Sequence, residues 1–266
     1  MTPTGHPAPA APRVFSRRTH ARAGLVCFPH AGGAAGAYRA WALESPWDVE
    51  VSAVQYPGRG DRFGEPVAAD MEALVDDVVA GLLREHTADT LATTVLFGHS
   101  MGAAVAYETA RRLAVTGRPP AGLVVSGQPA PRRTRGGTLH LADDAGLLAD
   151  LRRLGGTGQD VLDNGALLEA LLPAVRGDYR LIETYRPLPG CRLTVPVTVL
   201  YAGDDPEVTA EEALAWSEVT DGACEVAVFG GGHFYLETRR EEVLARVLKA
   251  VRAALPATVS AWPATP

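Results

Sequence analysis

Ser100 lies at the centre of Gly98-His99-Ser100-Met101-Gly102, directly after the apolar run Thr93-Thr94-Val95-Leu96-Phe97. A serine hydroxyl is a poor nucleophile until the backbone presents it at a sharp strand-to-helix turn. Glycines two residues before and two after let strand and helix approach closely. The small residues between Ala103 and Leu113 suit a helix packed tightly on a sheet. Ser100 is therefore a candidate nucleophile for acyl chemistry. His99 adjoins it, but neighbours on such a turn point in different directions, so His99 reads as structural and the base must come from elsewhere.

An activated serine needs an imidazole within hydrogen-bond reach and a carboxylate to hold that imidazole in the right tautomer. Val199-Leu200-Tyr201-Ala202-Gly203-Asp204-Asp205-Pro206 puts two acids just past one apolar run, and Phe229-Gly230-Gly231-Gly232-His233-Phe234 puts a histidine just past the next. The order serine, acid, histidine is that of the α/β-hydrolase arrangement. Asp205 is preferred as the acid because Pro206 fixes a turn that aims its side chain, with Asp204 as the alternative. A second Gly-rich segment, Pro29-His30-Ala31-Gly32-Gly33, follows an early strand. The N–H groups of Ala31 and Met101 are thus the expected oxyanion donors. His30 reads as shaping that loop, with a role as base the rival reading. His6, His20, His86 and His140 have no comparable setting. Cys27, Cys191 and Cys224 are widely spaced without a C-x-x-C pair, which offers no metal cage and marks them as core residues.

These residues are positioned by alternating strands and helices. Strands are expected at Gly24–Pro29, Val49–Gln55, Thr93–Phe97, Ala121–Ser126, Val195–Tyr201 and Glu225–Phe229. The clearest amphipathic helix starts at Met71, with Leu74, Val75, Val78, Val79, Leu82 and Leu83 at a 3.6-residue period and Asp70 as its cap. Thr209-Ala210-Glu211-Glu212 is a capping box, and Arg240 to Ala254 is a last amphipathic helix. The repeated order implies an α/β fold with a mostly parallel sheet and helices on both faces. In such a sheet the loops carrying Ser100, the Asp pair and His233 open on one edge. Between about Thr138 and Pro187 the alternation fails. There Leu147, Leu148, Leu151 and Leu154, then Leu167, Leu168, Leu171 and Leu172, are spaced like two or three short helices. This reads as a helical lid inserted after the sixth strand. The expected organisation is a flexible tail over 1–20, a core over 21–137 and 188–254, the lid over 138–187, and a second flexible tail over 255–266.

With 266 residues, 47% of them hydrophobic, the chain suits one large α/β domain with an insertion. A net charge of −6 argues against nucleic acid or an anionic membrane as the main partner. No apolar run approaches the roughly 20 residues that span a bilayer. Met1 to Pro12 lacks the charged and apolar regions of a signal peptide, so the expected location is cytoplasmic.

Taken together, these segments resemble the type II thioesterases that accompany modular polyketide and nonribosomal peptide synthases. The resemblance runs from about Leu25 to Arg240. It is carried by Leu25–Gly33, Gln55-Tyr56-Pro57-Gly58-Arg59-Gly60, the Gly98–Gly102 elbow and Gly231-Gly232-His233-Phe234. One departure is that the family often has Gly-Asp-x-Asp-Pro where this chain has Gly203-Asp204-Asp205-Pro206; aligning on the proline favours Asp205. The resemblance implies an α/β-hydrolase with a helical lid, Ser100, Asp205 and His233 as a triad, and oxyanion donors at Ala31 and Met101. It also implies a monomer without a cofactor of its own, acting on acyl thioesters held on the phosphopantetheine of acyl or peptidyl carrier proteins, in an editing role. Arg132-Arg133-Thr134-Arg135 is the candidate surface for docking an acidic carrier. The rival readings are a carboxylester hydrolase or lipase, an acyltransferase, and a non-catalytic scaffold on the same fold.

Overall fold

The computed structural model describes residues 11–133, 136–156, 158–187, 190 and 192–255. Seven strands form one sheet: β1 (Arg13–Val14), β2 (Ala23–Phe28), β3 (Val49–Ala53), β4 (Thr94–His99), β5 (Gly122–Ser126), β6 (Val197–Ala202) and β7 (Cys224–Phe229). Their spatial order is β1-β3-β2-β4-β5-β6-β7. Every neighbouring pair is parallel except β1 with β3. The five longest described helices are α1 (Met71–Glu85), α2 (Met101–Val115), α3 (Asp144–Leu154), α4 (Gly165–Thr184) and α5 (Arg240–Ala254).

Both faces of the sheet are covered, so its central strands are apolar on alternate residues in both directions. Val26 and Phe28 of β2 join the core under α1 and α2, while Leu25 and Cys27 join the core under α5. The stripe on α1 meets the sheet through Leu74, Val75, Val78, Val79 and Leu82, all buried. Each such burial contributes roughly 2 kcal/mol. The Asp70 side chain accepts from the Ala73 N–H at 2.8 Å and caps the helix, and Thr209 and Glu212 form their reciprocal capping box.

Two expectations are corrected. Residues 11–20 are not a free tail, because β1 pairs with Ser52 and Ala53 of β3 and the Arg18 guanidinium donates to the carbonyls of Ala42 and Ser45. A two-residue strand carries too little periodicity to announce itself. The lid helices lie between β5 and β6, so the insertion follows the fifth strand in chain order and not the sixth. They are also unequal: α3 has 11 residues and α4 has 20. The stripe through Leu172 continues past Pro173 to Val175 and Tyr179, and that continued burial carries α4 through the proline.

The tightest junction is the elbow. A Cβ on Gly98 would lie 2.1 Å from the Gly102 carbonyl oxygen, and one on Gly102 would lie 2.1 Å from the Phe28 oxygen. Strand β4, helix α2 and the end of β2 therefore meet backbone to backbone. Gly102→Ala is expected to lower stability by about 3 kcal/mol or more, because backbone must move to admit the methyl. Gly36→Ala, with nothing within 4 Å of its added Cβ, should change it little. Urea denaturation checks this, and equal effects at both positions would contradict the packing account.

Candidate active site

Ser100 sits at φ +54° and ψ −126°, the one non-glycine at positive φ among the described residues. Such a conformation costs about 1–3 kcal/mol and persists only where its surroundings enforce it. Here the Ser100 N–H donates to the Ser126 carbonyl at 2.8 Å and the Ser100 carbonyl accepts from Ala103 N–H at 2.8 Å. Ser126 ends β5, so the neighbouring strand anchors the elbow.

The acid and histidine loops are joined at their bases. Gly203 N–H donates to Phe229 O at 2.9 Å and Asp204 N–H to Gly231 O at 3.2 Å. Asp204 is exposed, whereas Asp205 is buried with its side chain fully covered. The turn across Pro206 is closed by Glu207 N–H donating to Asp205 Oδ1 at 2.9 Å. His233 Nδ1 lies 3.0 Å and 2.9 Å from the two Asp205 carboxylate oxygens. That contact orients the imidazole and leaves Nε2 as the basic nitrogen. The geometry selects Asp205 over Asp204 as the partner of His233.

The early loop is a turn in which Gly33 N–H donates to His30 O at 2.9 Å, with Gly32 at φ +77°. A positive φ at that third position is what a type II turn requires. Ala31 occupies the second position, whose N–H the turn does not use. Met101 is the first residue of α2, where helical geometry leaves the N–H without an intrahelical acceptor.

Ser100, His30, Ala31 and His233 line one side of a cavity of about 310 Å³, and Leu151, Leu154 and Ile182 line the side formed by the lid. Leu147, Leu151, Leu172, Val175 and Tyr179 form the lid's own apolar cluster, against which Ala31 packs. Leu151 thus serves both as cavity wall and as lid core. Asp150 accepts from the Tyr179 hydroxyl at 2.7 Å and from Arg153 at 2.8 Å, and Arg153 also donates to Glu207 at 2.7 Å.

Behind His233 lies a cluster that sequence reasoning left largely unresolved. His99 is fully buried, its Nδ1 2.9 Å from Ser126 Oγ, which is 2.6 Å from the Tyr235 hydroxyl. The His99 and His233 rings are 5.0 Å apart between centroids, and His30 stands edge-on to Phe234 at 4.7 Å. Burial, then the neighbouring His233 and Arg59, lower the His30 pKa to about 4. Burial, then His233 and His30, push His99 well below the ordinary imidazole value. With both neutral, a proton gained by His233 meets no second cation in the cluster. Neither histidine contacts the Asp205 carboxylate, so His30 is not placed as the oriented base. Asp178, on α4, was also missed; its signal was a carboxylate one turn after Val175 on an otherwise apolar stripe.

Elsewhere, Arg132 and Arg133 are exposed, and Arg133 pairs with Glu211 and Glu218. Thr134, Arg135 and Cys191 lie outside the described residues. Cys27 is buried and Cys224 half-buried. Among the described residues no group of three or more His, Cys, Asp or Glu is disposed to hold a metal ion, and no helix is long and apolar enough to cross a membrane.

A mostly parallel sheet with a serine elbow, an Asp-bound histidine and an inserted lid defines a hydrolase of the α/β type. Residues 23–251 match the thioesterase domain family, and the chain belongs to that family. It is 44% identical over 227 residues to a probable cadicidin biosynthesis thioesterase of Streptomyces griseus, covering 85% of this chain but 62% of that relative's length. It is 40% identical over 232 residues to thioesterase PikA5 of Streptomyces venezuelae, covering 87% and 82% of the two chains. Among solved structures it is similar to the type II thioesterase BorB of the borrelidin biosynthetic cluster, with TM-score 0.84 and 41% identity over 93% of this chain and 99% of that one.

The depressed His30 value has a consequence for stability. The folded state holds its pKa near 4 against an ordinary 6.5, so the unfolded chain binds the proton first as pH falls. Stability present above about pH 6.5 is then lost progressively down to about pH 4. His30→Gln should flatten that dependence by up to one proton, about 1.4 kcal/mol per pH unit. Urea titrations between pH 7 and 4 measure it, and an unchanged slope would contradict the neutral, half-buried imidazole.

Proposed function

We propose that this protein hydrolyses acyl groups from the phosphopantetheine arm of acyl or peptidyl carrier proteins, clearing aberrant or stalled units from polyketide or nonribosomal peptide assembly. The observation that carries the reading is the His233–Asp205 contact at the wall of a lid-covered cavity that Ser100 and Ala31 also line. The relatives named as thioesterases, one of them for cadicidin biosynthesis, and the type II thioesterase of the borrelidin biosynthetic cluster support the substrate class.

In the proposed mechanism His233 Nε2 takes the Ser100 proton as Oγ attacks the thioester carbonyl carbon. The C=O electrons move onto oxygen, where the N–H groups of Ala31 and Met101 stabilise the charge. Collapse expels the thiolate, which takes the proton from His233 and leaves an acyl-Ser100 ester. His233 then removes a proton from water, the hydroxide oxygen attacks the ester, and Ser100 regains its proton as the acid departs. A thiol of pKa about 8.5 is a good leaving group, so modest activation suffices. Nucleophile, base and oxyanion donors all come from the chain, so the proposal assigns the protein no cofactor beyond the arm its substrate carries. It further assigns a monomer in the cytoplasm, with Arg132 and Arg133 as part of the carrier-docking surface.

The test is intact-mass analysis of carriers bearing short acyl, malonyl or aminoacyl groups. Wild type should return the free pantetheine thiol. Ser100→Ala or His233→Ala should lower turnover about 10⁶-fold, and Asp205→Asn about 10⁴-fold. Asp204→Asn should stay within a few-fold of wild type. Stable acyl carriers alongside rapid cleavage of simple oxygen esters would favour the carboxylester hydrolase instead.

A further inference from the structure

The segment Gln55–Gly60 carries no group with a role in the proposed chemistry, yet its polar atoms converge on the loop that holds Ala31. The Tyr56 hydroxyl donates to Pro29 O at 3.2 Å, and Gln55 Oε1 accepts from Ala35 N–H at 3.1 Å. Arg59 reaches furthest: its guanidinium donates to Gly33 O at 3.2 Å and to both carboxylate oxygens of Asp178, at 2.5 Å and 2.8 Å. Asp178 Oδ2 in turn accepts from the Gly32 N–H at 2.7 Å. The two side chains are 3% and 2% exposed.

A buried ion pair of this kind is weak support for stability, because desolvating both charges offsets much of their attraction. Its geometry has another result. The turn His30–Gly33 is held on one side through the Gly32 N–H and on the other through the Gly33 carbonyl, by two residues that are bonded to each other. Arg59 belongs to the core, whereas Asp178 belongs to the lid helix α4. The same helix face meets the loop again at Val175, 3.1 Å from where a Cβ on Gly32 would stand.

We propose that Arg59 and Asp178 are positioning residues for the oxyanion hole, a buried clamp through which docking of the lid helix fixes the direction of the Ala31 N–H. The inference rests on the proposed oxyanion role of Ala31. Helix α4 is a fixed part of the catalytic framework, since displacing it at Asp178 releases the loop. Helix α3 is packed on α4 through Leu147, Leu151 and the Asp150–Tyr179 hydrogen bond, while its ion pair with the acid loop, Arg153–Glu207, is solvent-exposed and contributes little.

The experiment compares variants in kcat and KM for a small acyl thioester, in affinity for an alkyl boronic acid, and in thermal midpoint. The boronate forms a tetrahedral anion on a reactive serine and so reports the oxyanion site, with Ser100→Ala as the blank. Asp178→Asn should lower kcat and boronate affinity together, by about 10²-fold, with KM within about threefold, as for the loss of one oxyanion donor. Arg180→Ala, which removes a different lid-to-core bond to the Ala68 carbonyl, should leave boronate affinity within about twofold. Boronate affinity retained in Asp178→Asn, or lost equally in Arg180→Ala, overturns the clamp. Should the single variant fail to fold, the apolar pair Arg59→Met with Asp178→Leu keeps the volume without either loop bond. It should fold and show the same kinetic loss, and wild-type kinetics in it overturn the proposal.

Ala31→Pro separates the two readings, because proline fits the second position of this turn and removes only the N–H. Loss of boronate affinity there but not in Asp178→Asn leaves the oxyanion role standing and refutes the clamp. Loss in Asp178→Asn but not in Ala31→Pro refutes the oxyanion role of Ala31, and the clamp with it.

Discussion

Three backbone segments meet at the elbow without a side chain between them, and the rest of the site is arranged around that contact. With Gly102 against the Phe28 carbonyl and Gly98 against Gly102, the end of β2, the end of β4 and the start of α2 are fixed within van der Waals distance. The left-handed conformation of Ser100 follows, because only a reversal of that sharpness lets α2 return over the strand it came from. Phe28 ends β2 and only Pro29 separates it from the loop His30–Gly33, so the same contact brings Ala31 beside the serine's cavity.

Around this junction the structure spends its buried polar groups on orientation. His233 has both Asp205 oxygens, the elbow backbone has the Ser126 carbonyl, and the early loop has Arg59 and Asp178. Each of these contacts joins elements more than twenty residues apart in sequence. A rigid framework of this kind places hydrogen-bond donors in advance of the charge they are proposed to meet, which is where most oxyanion stabilisation originates. The neutral state of His30 and His99 belongs to the same arrangement, since either as a cation would oppose a proton on His233.

What the sequence made legible was local. The glycines around Ser100, the proline after Asp205, the cap at Asp70 and the capping box at Thr209 each announce a backbone conformation within a few residues, and the sheet follows from the repetition of strands and helices. What it concealed was pairing at a distance. Strand β1 exists only because β3 lies beside it, and nothing in Arg13–Val14 alone marks a strand. The join between Arg59 and Asp178 spans 119 positions, and neither residue has a neighbour that names the other. The chain from His99 through Ser126 to Tyr235 is hidden for the same reason, as its members come from the ends of different elements. The length of α4 was obscured differently: the regular leucine spacing ends at Leu172, and burial on either side of Pro173 holds the helix together beyond it.

In the proposed mechanism acyl transfer passes through an ester on Ser100, and partitioning measures it whichever step limits turnover. The same acyl group is supplied as a carrier thioester, a small-molecule thioester and an activated oxygen ester, each in the presence of methanol. One ratio of methyl ester to free acid is expected for all three, because a common acyl-enzyme forgets its leaving group, and no turnover of any in Ser100→Ala. A ratio that changes with the leaving group would mean that water attacks the substrate directly, and would contradict the proposed mechanism.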